Sequence, residues 1–511
     1  MDLKVLKQDV SQKKCVFNRS AEQGIDVDFT LPDYYPPVNK ILKCKTTPRI
    51  GAAAINGQTL SCEGSLNVLL IYVSSEGELC SYEYIMPFSK SFEFEGDNND
   101  CMPSCSVKEE YMNCRLMNER KVELHGALGI TACIIKKNCE KVICDIDGGN
   151  VVVNRAIAPA TSVLGIAEKY LTIEEDLELG NGQPSIRYLL RYDAKAFNTD
   201  CKTISGKAVV KGEMTVFVLY CGEGTATPQT LSSTIPFSQI IDIDGITDEC
   251  ECNCTAEIAA LEIKPRTSVT GETRNLTLCA KIRFSASATC NDDMPVICDA
   301  FSTKYNADIN LSDVTIEKIV KTVNDRFVCK SNIDLNVSGL NSVIDVWCEP
   351  KVNSCDIKGG EICVGGVINA CILITDNDDN PLYLERNFDF TYNHPFMNGD
   401  ENTYCSGVAA VSRVSFTVLS NNCLEITSEI GIAVTVMRKQ KMSLVTDITI
   451  DEKNKKEIVR DCAMIIYYAD CGEEVWNIAR KYNSSPEEIC EINSIEGKCI
   501  PSAQPLLIPV K

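Results

Sequence analysis

The sequence predicts a mainly β protein with three repeated β-sandwich-like domains in tandem and a small C-terminal β-α-α-β domain. A stretch with an apolar residue at every second position occurs three times, starting at Gly64, Gly212 and Gly366. Period-two alternation places these side chains on one face of a strand. The glycines are 148 and 154 residues apart, so each repeat is long enough to bury a core of its own.

Three further landmarks recur in constant order around these glycines. An apolar pair precedes each glycine by 22 residues: Ile41-Leu42, Leu189-Leu190 and Val343-Ile344. A phenylalanine follows by 24, 25 and 22 residues: Phe88, Phe237 and Phe388. A second alternating strand comes later, with Val122, Leu124, Leu128 and Ile130 in the first copy, Leu276, Leu278, Ile282 and Phe284 in the second, and Leu424, Ile426, Ile430 and Ile432 in the third. These landmarks predict domains at 1–147, 148–300 and 301–461.

Turn and breaker residues mark the elements inside the repeats. In the first copy, strands are predicted at 26–31, 42–49 and 59–73, with a Pro-rich break at 32–37 and a hairpin turn at 74–77. The corresponding hairpin turns are 221–224 and 376–381. Two acids and two glycines make 144–150 the best linker candidate, and a charge run at 451–457 ends the third copy.

The last segment, 462–511, has a different pattern. A strand is predicted at 464–468 and a closing strand at 505–509. Val475, Ile478, Ala479 and Tyr482 recur at helical spacing between them. A second helix is expected after Ser485, with Pro486 at its first position and Glu488 placed to complete a capping box.

Composition excludes several classes of function. The chain has 511 residues and a net charge of −21, which argues against binding nucleic-acid phosphates or anionic lipid by charge. We identify neither a signal peptide nor an apolar run of membrane-spanning length, so a cytoplasmic location without membrane insertion is expected.

The 29 cysteines are the unusual feature of the composition. Without a signal peptide, most are expected to be reduced and to act as small buried apolar residues. The alternative is oxidative cross-linking after assembly of a larger structure. Since the number is odd, at least one thiol stays free in a monomer or pairs between chains.

We find no signature of catalysis, and no metal or cofactor is expected. The two histidines, His125 and His394, are isolated; the first is expected on an outward strand face and the second in a loop. Cys250, Cys252 and Cys254 could share one face of a strand and hold a soft metal, but the other repeats lack this trio. The protein is therefore predicted not to be an enzyme, with a hidden catalytic site in the repeats as an alternative.

The C-terminal segment resembles a LysM module. The resemblance rests on Gly472-Glu-Glu-Val-Trp-Asn-Ile-Ala-Arg-Lys-Tyr482, Pro486-Glu-Glu-Ile489, Asn493 and Leu506-Leu-Ile-Pro509. Such modules usually bind N-acetylglucosamine-containing glycans through loops at one end. In this chain those loops read Asp470-Cys471 and 497–504, and both depart from the usual pattern.

Three β-rich repeats before such a module resemble the SipL-type, SpoIVA-interacting family of spore-coat morphogenetic proteins. The resemblance implies a structural protein in the mother-cell cytoplasm that binds a SpoIVA-like polymerising ATPase through the LysM-like domain. It would tether coat layers to the forespore surface, with higher-order assembly there as a further expectation. The alternative is a cell-wall or spore-cortex protein that binds peptidoglycan through this domain.

The predicted partner-binding residues lie in the C-terminal domain. Met464, Ile466 and Tyr468 alternate on one face of its first strand, and Trp476 lies at the edge of the apolar stripe of the following helix. Exposed aromatic side chains are typical interface anchors, so these four residues are predicted to form an apolar patch for a protein partner. The alternative for Trp476 is ordinary packing against the strand.

Overall fold

The computed structural model describes residues 4–96, 101–148, 150–225, 227–268, 271–337, 339–420, 422–456 and 462–509. Within them, eighteen long strands form six three-stranded antiparallel sheets, and the C-terminal module adds a two-stranded sheet and two short helices. The predicted mainly-β class is confirmed. In the described part of the chain, no helix has the length and apolarity that crossing a bilayer requires.

The eighteen strands divide into three units of six. Unit 1 contains β1 (Lys4–Thr30), β2 (Val38–Asn56), β3 (Thr59–Ser74), β4 (Leu79–Glu93), β5 (Cys101–Leu116) and β6 (Lys121–Asp147). Unit 2 contains β7 (Val151–Glu178), β8 (Ile186–Ile204), β9 (Lys207–Gly222), β10 (Gln229–Asp242), β11 (Glu251–Arg266) and β12 (Asn275–Ser302). Unit 3 contains β13 (Tyr305–Asp334), β14 (Ser342–Lys358), β15 (Glu361–Thr375), β16 (Pro381–Pro395), β17 (Thr403–Ser420) and β18 (Cys423–Lys455).

All three units have the same topology. The second, third and fourth strands form a meander sheet, with the third strand in the middle. The first, sixth and fifth strands form a ribbon sheet, with the sixth strand in the middle. Apolar side chains from both sheets meet in one core, for example Leu66 and Val68 of β3 against Leu124 and Leu128 of β6. Each unit is therefore a β-sandwich.

The repeated glycines occupy one structural position, in the middle strand of each meander sheet. Gly64, Gly212 and Gly366 each pair with a phenylalanine of the next strand, namely Phe88, Phe237 and Phe390. A Cβ atom on any of these glycines would overlap that phenylalanine ring and a backbone carbonyl oxygen of the preceding strand. Glycine recurs because only it leaves room for the ring.

The apolar pair before each glycine marks a β-bulge that points to the centre of the molecule. In β2, β8 and β14, the second residue of the pair has no partner in the neighbouring strand. These bulged residues are Leu42, Leu190 and Ile344, and all three pack into one cluster. Equivalent residues of the middle strands join them, namely Ile71, Leu219 and Leu373. The three units are therefore grouped around a shared apolar centre, in addition to their own cores.

The ends of the long strands connect the units a second time. The paired strands β1/β6, β7/β12 and β13/β18 extend beyond the sandwiches as three ribbons. Their apolar residues form clusters that contain members of all three units, such as Ile143, Ile297 and Val445. A further cluster joins Cys144, Met294 and Leu444.

Some local predictions are wrong. The expected linker at 144–150 lies mostly in β6, where Cys144 is buried between the ribbons. The phenylalanine over the third glycine is Phe390 rather than Phe388. His394 lies in β16 rather than in a loop, and its Nε2 is 2.8 Å from Lys321 Nζ. His125 is exposed on β6, as expected.

Candidate interaction surface on the C-terminal module

The C-terminal module has the predicted strand-helix-helix-strand order. Its elements are β19 (Met464–Ala469), α1 (Val475–Tyr482), α2 (Pro486–Asn493) and β20 (Gln504–Pro509). Val475, Ile478 and Ala479 of α1 bury the predicted stripe against Leu506 and Ile508 of β20. This core fixes which face of the two-stranded sheet the helices cover.

Helix boundaries follow local signals. Ser485 is the N-cap residue of α2 and Pro486 its first residue, as predicted. The Ser485 hydroxyl donates to the Glu487 carboxylate, not to the backbone, so the capping box does not form. Asn483 and Ser494 adopt the left-handed conformation that ends each helix.

The other face of the same sheet is apolar and exposed. Met464, Ile466 and Tyr468 are 50%, 63% and 78% exposed. Their partners on β20 are Pro509, Leu507 and Pro505, and neither strand contains a charged residue. We call these six residues the outer face. Both sides of this sheet are thus apolar, but the helices of the module cover only one of them.

Trp476 does not lie on the outer face. Its ring packs edge-on against Phe301 of β12, with 5.1 Å between ring centroids. Its Nε1 donates to Asp299 Oδ2 at 2.9 Å, and Arg480 Nη1 donates to the same oxygen at 2.6 Å. The structure therefore brings Met464, Ile466 and Tyr468 together and places Trp476 at the contact between the module and unit 2.

The core side of β19 carries a polar anchor. Tyr467 OH donates to Glu473 Oε1 at 2.7 Å, and this hydrogen bond raises the pKa of Tyr467 to about 12. The phenol is therefore protonated at neutral pH and joins the strand to the residues before α1. Because successive side chains of a strand point to opposite faces, Tyr467 on the core side leaves Ile466 and Tyr468 on the outer face.

Sequence reasoning missed two parts of this region. Pro505, Leu507 and Pro509 complete the outer face, and their alternation with Leu506 and Ile508 was a usable signal. Asp299 and Phe301, which receive Trp476, lie far away in the sequence. No local pattern connects them with the module.

Other candidate chemistry finds no support in the geometry. In the ranges that the structure describes, no group of three or more His, Cys, Asp or Glu side chains is arranged to hold a metal ion. Cys250 lies in a turn, where its Sγ is 3.3 Å from Thr247 Oγ1, whereas Cys252 of β11 is hydrogen-bonded to Cys201 of β8. The cysteine trio is thus divided between different contacts.

Comparison with known families gives one match. Residues 37–117 and 185–265, together about a third of the chain, match the family model described as SipL, SPOCS domain. The two segments correspond to β2–β5 of unit 1 and β8–β11 of unit 2, and they start at equivalent positions of the two repeats. Neither the curated proteins nor the solved structures contain a match to this chain. The first two units are therefore similar to the SPOCS domain of SipL, which supports the resemblance to SipL-type proteins.

Proposed function

We propose that the protein is a non-enzymatic structural and interaction protein of the spore coat. The two segments similar to the SipL SPOCS domain support a role in sporulation. The shared clusters between the three units support the view that they act together as one scaffold. In this proposal, the C-terminal module is a LysM-like domain whose partner is a protein.

The observation that carries the proposal is the outer face of the module. The small two-stranded sheet exposes Ile466 and Tyr468 on one strand and Leu507, which is 41% exposed, opposite Ile466 on the other. These side chains present a contiguous apolar surface to solvent. Such a patch marks an interaction site on a soluble domain. Tyrosine and isoleucine supply large apolar contact area, and the tyrosine hydroxyl remains available for a hydrogen bond.

The proposed partner is a SpoIVA-like polymerising ATPase at the forespore surface. In this arrangement the outer face binds the ATPase, and the three-unit body links it to further coat layers from the mother-cell side. Peptidoglycan binding through the module loops is the competing function. The two loops, 470–471 and 497–504, depart from the usual pattern of glycan-binding modules. Both contain an exposed cysteine, Cys471 or Cys499, and Cys471 Sγ donates to the Pro501 carbonyl oxygen.

Substitution of the outer face tests this proposal. Ile466→Glu places a charge in the middle of the face, and we expect it to reduce co-purification with the SpoIVA-like ATPase at least about tenfold. Because Ile466 is exposed, circular dichroism and thermal unfolding should match the parent protein. Ile85→Glu is the matched control, since Ile85 is 53% exposed on β4 of unit 1, and it should retain capture.

Two outcomes would contradict the proposal. Normal capture by folded Ile466→Glu would exclude the outer face as the binding site. Retention on purified peptidoglycan that is strong in the parent protein and unaffected by Ile466→Glu would instead support the glycan-binding function. Substitution of Trp476, the fourth predicted partner-binding residue, is a poor test, because Trp476→Glu would also break the contacts with Asp299 and Phe301.

A further inference from the structure

The cysteines are placed in pairs that bridge the two sheets of each sandwich. In unit 1, Cys62 of β3 and Cys105 of β5 form a disulfide. In unit 2, the thiols of Cys201 on β8 and Cys252 on β11 are hydrogen-bonded. In unit 3, Cys355 Sγ of β14 and Cys405 Sγ of β17 are 3.0 Å apart. Every unit thus has a sulfur pair between its meander sheet and its ribbon sheet.

The pairs of units 2 and 3 occupy one structural position. Cys201 is opposite Val210 and Cys355 is opposite Val364, and each valine lies two residues before the repeated glycine of its unit. On the other side of the sandwich, Cys252 is opposite Ala288 and Cys405 is opposite Val436. Ala288 and Val436 are equivalent, since each lies ten residues after a matched residue of the central ribbon strand, Leu278 or Ile426.

The disulfide of unit 1 lies at a neighbouring position between the same two sheets. Cys62 occupies the place of Val210 and Val364, two residues before Gly64. Cys105 is opposite Ala132, which corresponds to Ala286, the partner of Cys254. Cys105 therefore lies two residues along the strand from the Cys252 position. At the place where a disulfide links the two sheets of unit 1, units 2 and 3 therefore each have two adjacent thiols.

We propose that Cys201–Cys252 and Cys355–Cys405 are oxidative modification sites that become disulfides and join the two sheets of units 2 and 3. The oxidant is a low-molecular-weight disulfide such as oxidised glutathione. A thiolate of the pair attacks one oxidant sulfur and releases one small thiolate. The second cysteine then attacks the mixed disulfide and releases the other. The two protons of the protein thiols end on two small thiols, so atoms and electrons balance.

Access and thiolate character set the order of reaction. Cys201 and Cys252 line a cleft of about 1000 Å³ between units 2 and 3. The hydrogen bond from Cys201 lowers the pKa of Cys252, and a thiolate is the attacking species in exchange. In unit 3, burial raises the pKa of Cys355 to about 12, and burial also raises that of Cys405. The pair of unit 2 therefore reacts before the pair of unit 3.

The physical consequence is a more stable body. Each bond would close a loop of about fifty residues, since the partners are 51 and 50 positions apart. Closing such a loop reduces the freedom of the unfolded chain. Oxidation would therefore raise the unfolding midpoint without requiring a different fold, because the sulfur atoms are already adjacent. This inference does not depend on the identity of the binding partner.

The test uses the full-length protein, first reduced and then exposed to oxidised glutathione. Peptide mapping under non-reducing conditions should find Cys201 linked to Cys252 early and Cys355 linked to Cys405 later. The unfolding midpoint should rise by at least about 5 °C and return when reductant is added. Re-formation of the Cys62–Cys105 disulfide is expected in the same experiment. Glutathione adducts that persist on the four cysteines of units 2 and 3, or disulfides that link one of these four to a cysteine other than its named partner, would overturn the proposal.

Variants separate the two sites. Cys252→Ser should abolish the first link, leave the second intact and lower the oxidation-dependent rise in midpoint. Cys279→Ser is the matched control, because Cys279 is half-buried on β12 of the same unit and faces away from its core. This control should behave like the parent protein. An equal loss in both variants would show that the rise does not come from the Cys201–Cys252 link.

Discussion

At the scale of single residues, several thiols are buried away from water. Cys80, Cys348 and Cys371 are each less than 5% exposed. Burial raises the pKa of all three to about 11, from an ordinary value of 9.0. Each therefore acts as a small buried apolar side chain. The prediction that most cysteines are buried in this way is wrong, because most of the described free cysteines are half-buried and four are exposed.

These thiols predict a stability loss in alkali. Because the folded state raises their pKa, their contribution is fully present below pH 9 and is lost as the pH rises towards 11. We expect the free energy of unfolding of the reduced protein to fall by a few kcal/mol over this range. Denaturant titrations at several pH values measure it.

A single substitution isolates the effect. Cys371→Ala removes one buried thiol from the shared apolar centre and should make the decline with pH shallower. Cys279→Ala, which removes a half-exposed thiol, should leave the decline as in the parent. If the parent protein and both variants lose stability identically as the pH rises, the buried thiols are not the cause of the loss.

At the scale of elements, the meander sheet depends on a glycine beneath an aromatic ring. Gly64 of β3 pairs with Phe88 of β4, and the same pairing occurs in units 2 and 3. Aromatic coverage of a strand glycine restores the packing that the missing side chain would have supplied. The pair also sets the register of the two strands.

Gly64→Ala tests this pairing. The added methyl group would overlap the Phe88 ring and the Arg49 carbonyl oxygen, so we expect a loss of about 1–3 kcal/mol in the free energy of unfolding. Gly24→Ala is the control, since no heavy atom lies within 4 Å of a Cβ at that strand position. Equal stability of both variants in denaturant titrations would refute the close approach.

At the scale of the whole molecule, equivalent positions of the three units carry different charges. The residue after the central bulge is Lys43 in unit 1, Arg191 in unit 2 and Asp345 in unit 3. Arg191 Nε donates to Asp345 Oδ2 at 2.7 Å, and both side chains are 4% exposed. The guanidinium lies between the rings of Phe217 and Trp347. Burial alone would lower the pKa of Arg191, but the Asp345 carboxylate outweighs it and raises that pKa.

This buried ion pair predicts coupling between units. Arg191→Met leaves the Asp345 carboxylate buried without its partner, which should cost about 3–5 kcal/mol and destabilise units 2 and 3 together. Arg187→Met is the matched control, because Arg187 pairs with Glu78 across units 1 and 2 but is 55% exposed. It should cost less than about 1 kcal/mol.

Calorimetry gives the measurement. Each unit has its own core, as the sequence suggested, but the shared clusters connect them. We therefore expect one cooperative transition that shifts as a whole in Arg191→Met. A separate transition for unit 1 that keeps the parent midpoint would show that the units are uncoupled.

The repeated architecture and part of the candidate site could be predicted from local sequence patterns. Alternation of apolar residues predicts strands because it is a local property of the sequence. The three glycines, the apolar pairs and the second alternating strands of the repeats all occupy equivalent places in the structure. The helices and strands of the C-terminal module also follow from local spacing and caps. Met464, Ile466 and Tyr468 were predicted to share a face for the same reason.

How these parts meet could not be predicted from local sequence patterns. The second residue of each apolar pair, such as Leu190, faces the shared centre because a bulge turns it there. Trp476 packs against Asp299 and Phe301 rather than joining the outer face. The pairing of Cys201 with Cys252 likewise depends on how the two sheets stack. These contacts join residues far apart in the chain, and a pattern of near neighbours carries no information about which distant surface a side chain will touch.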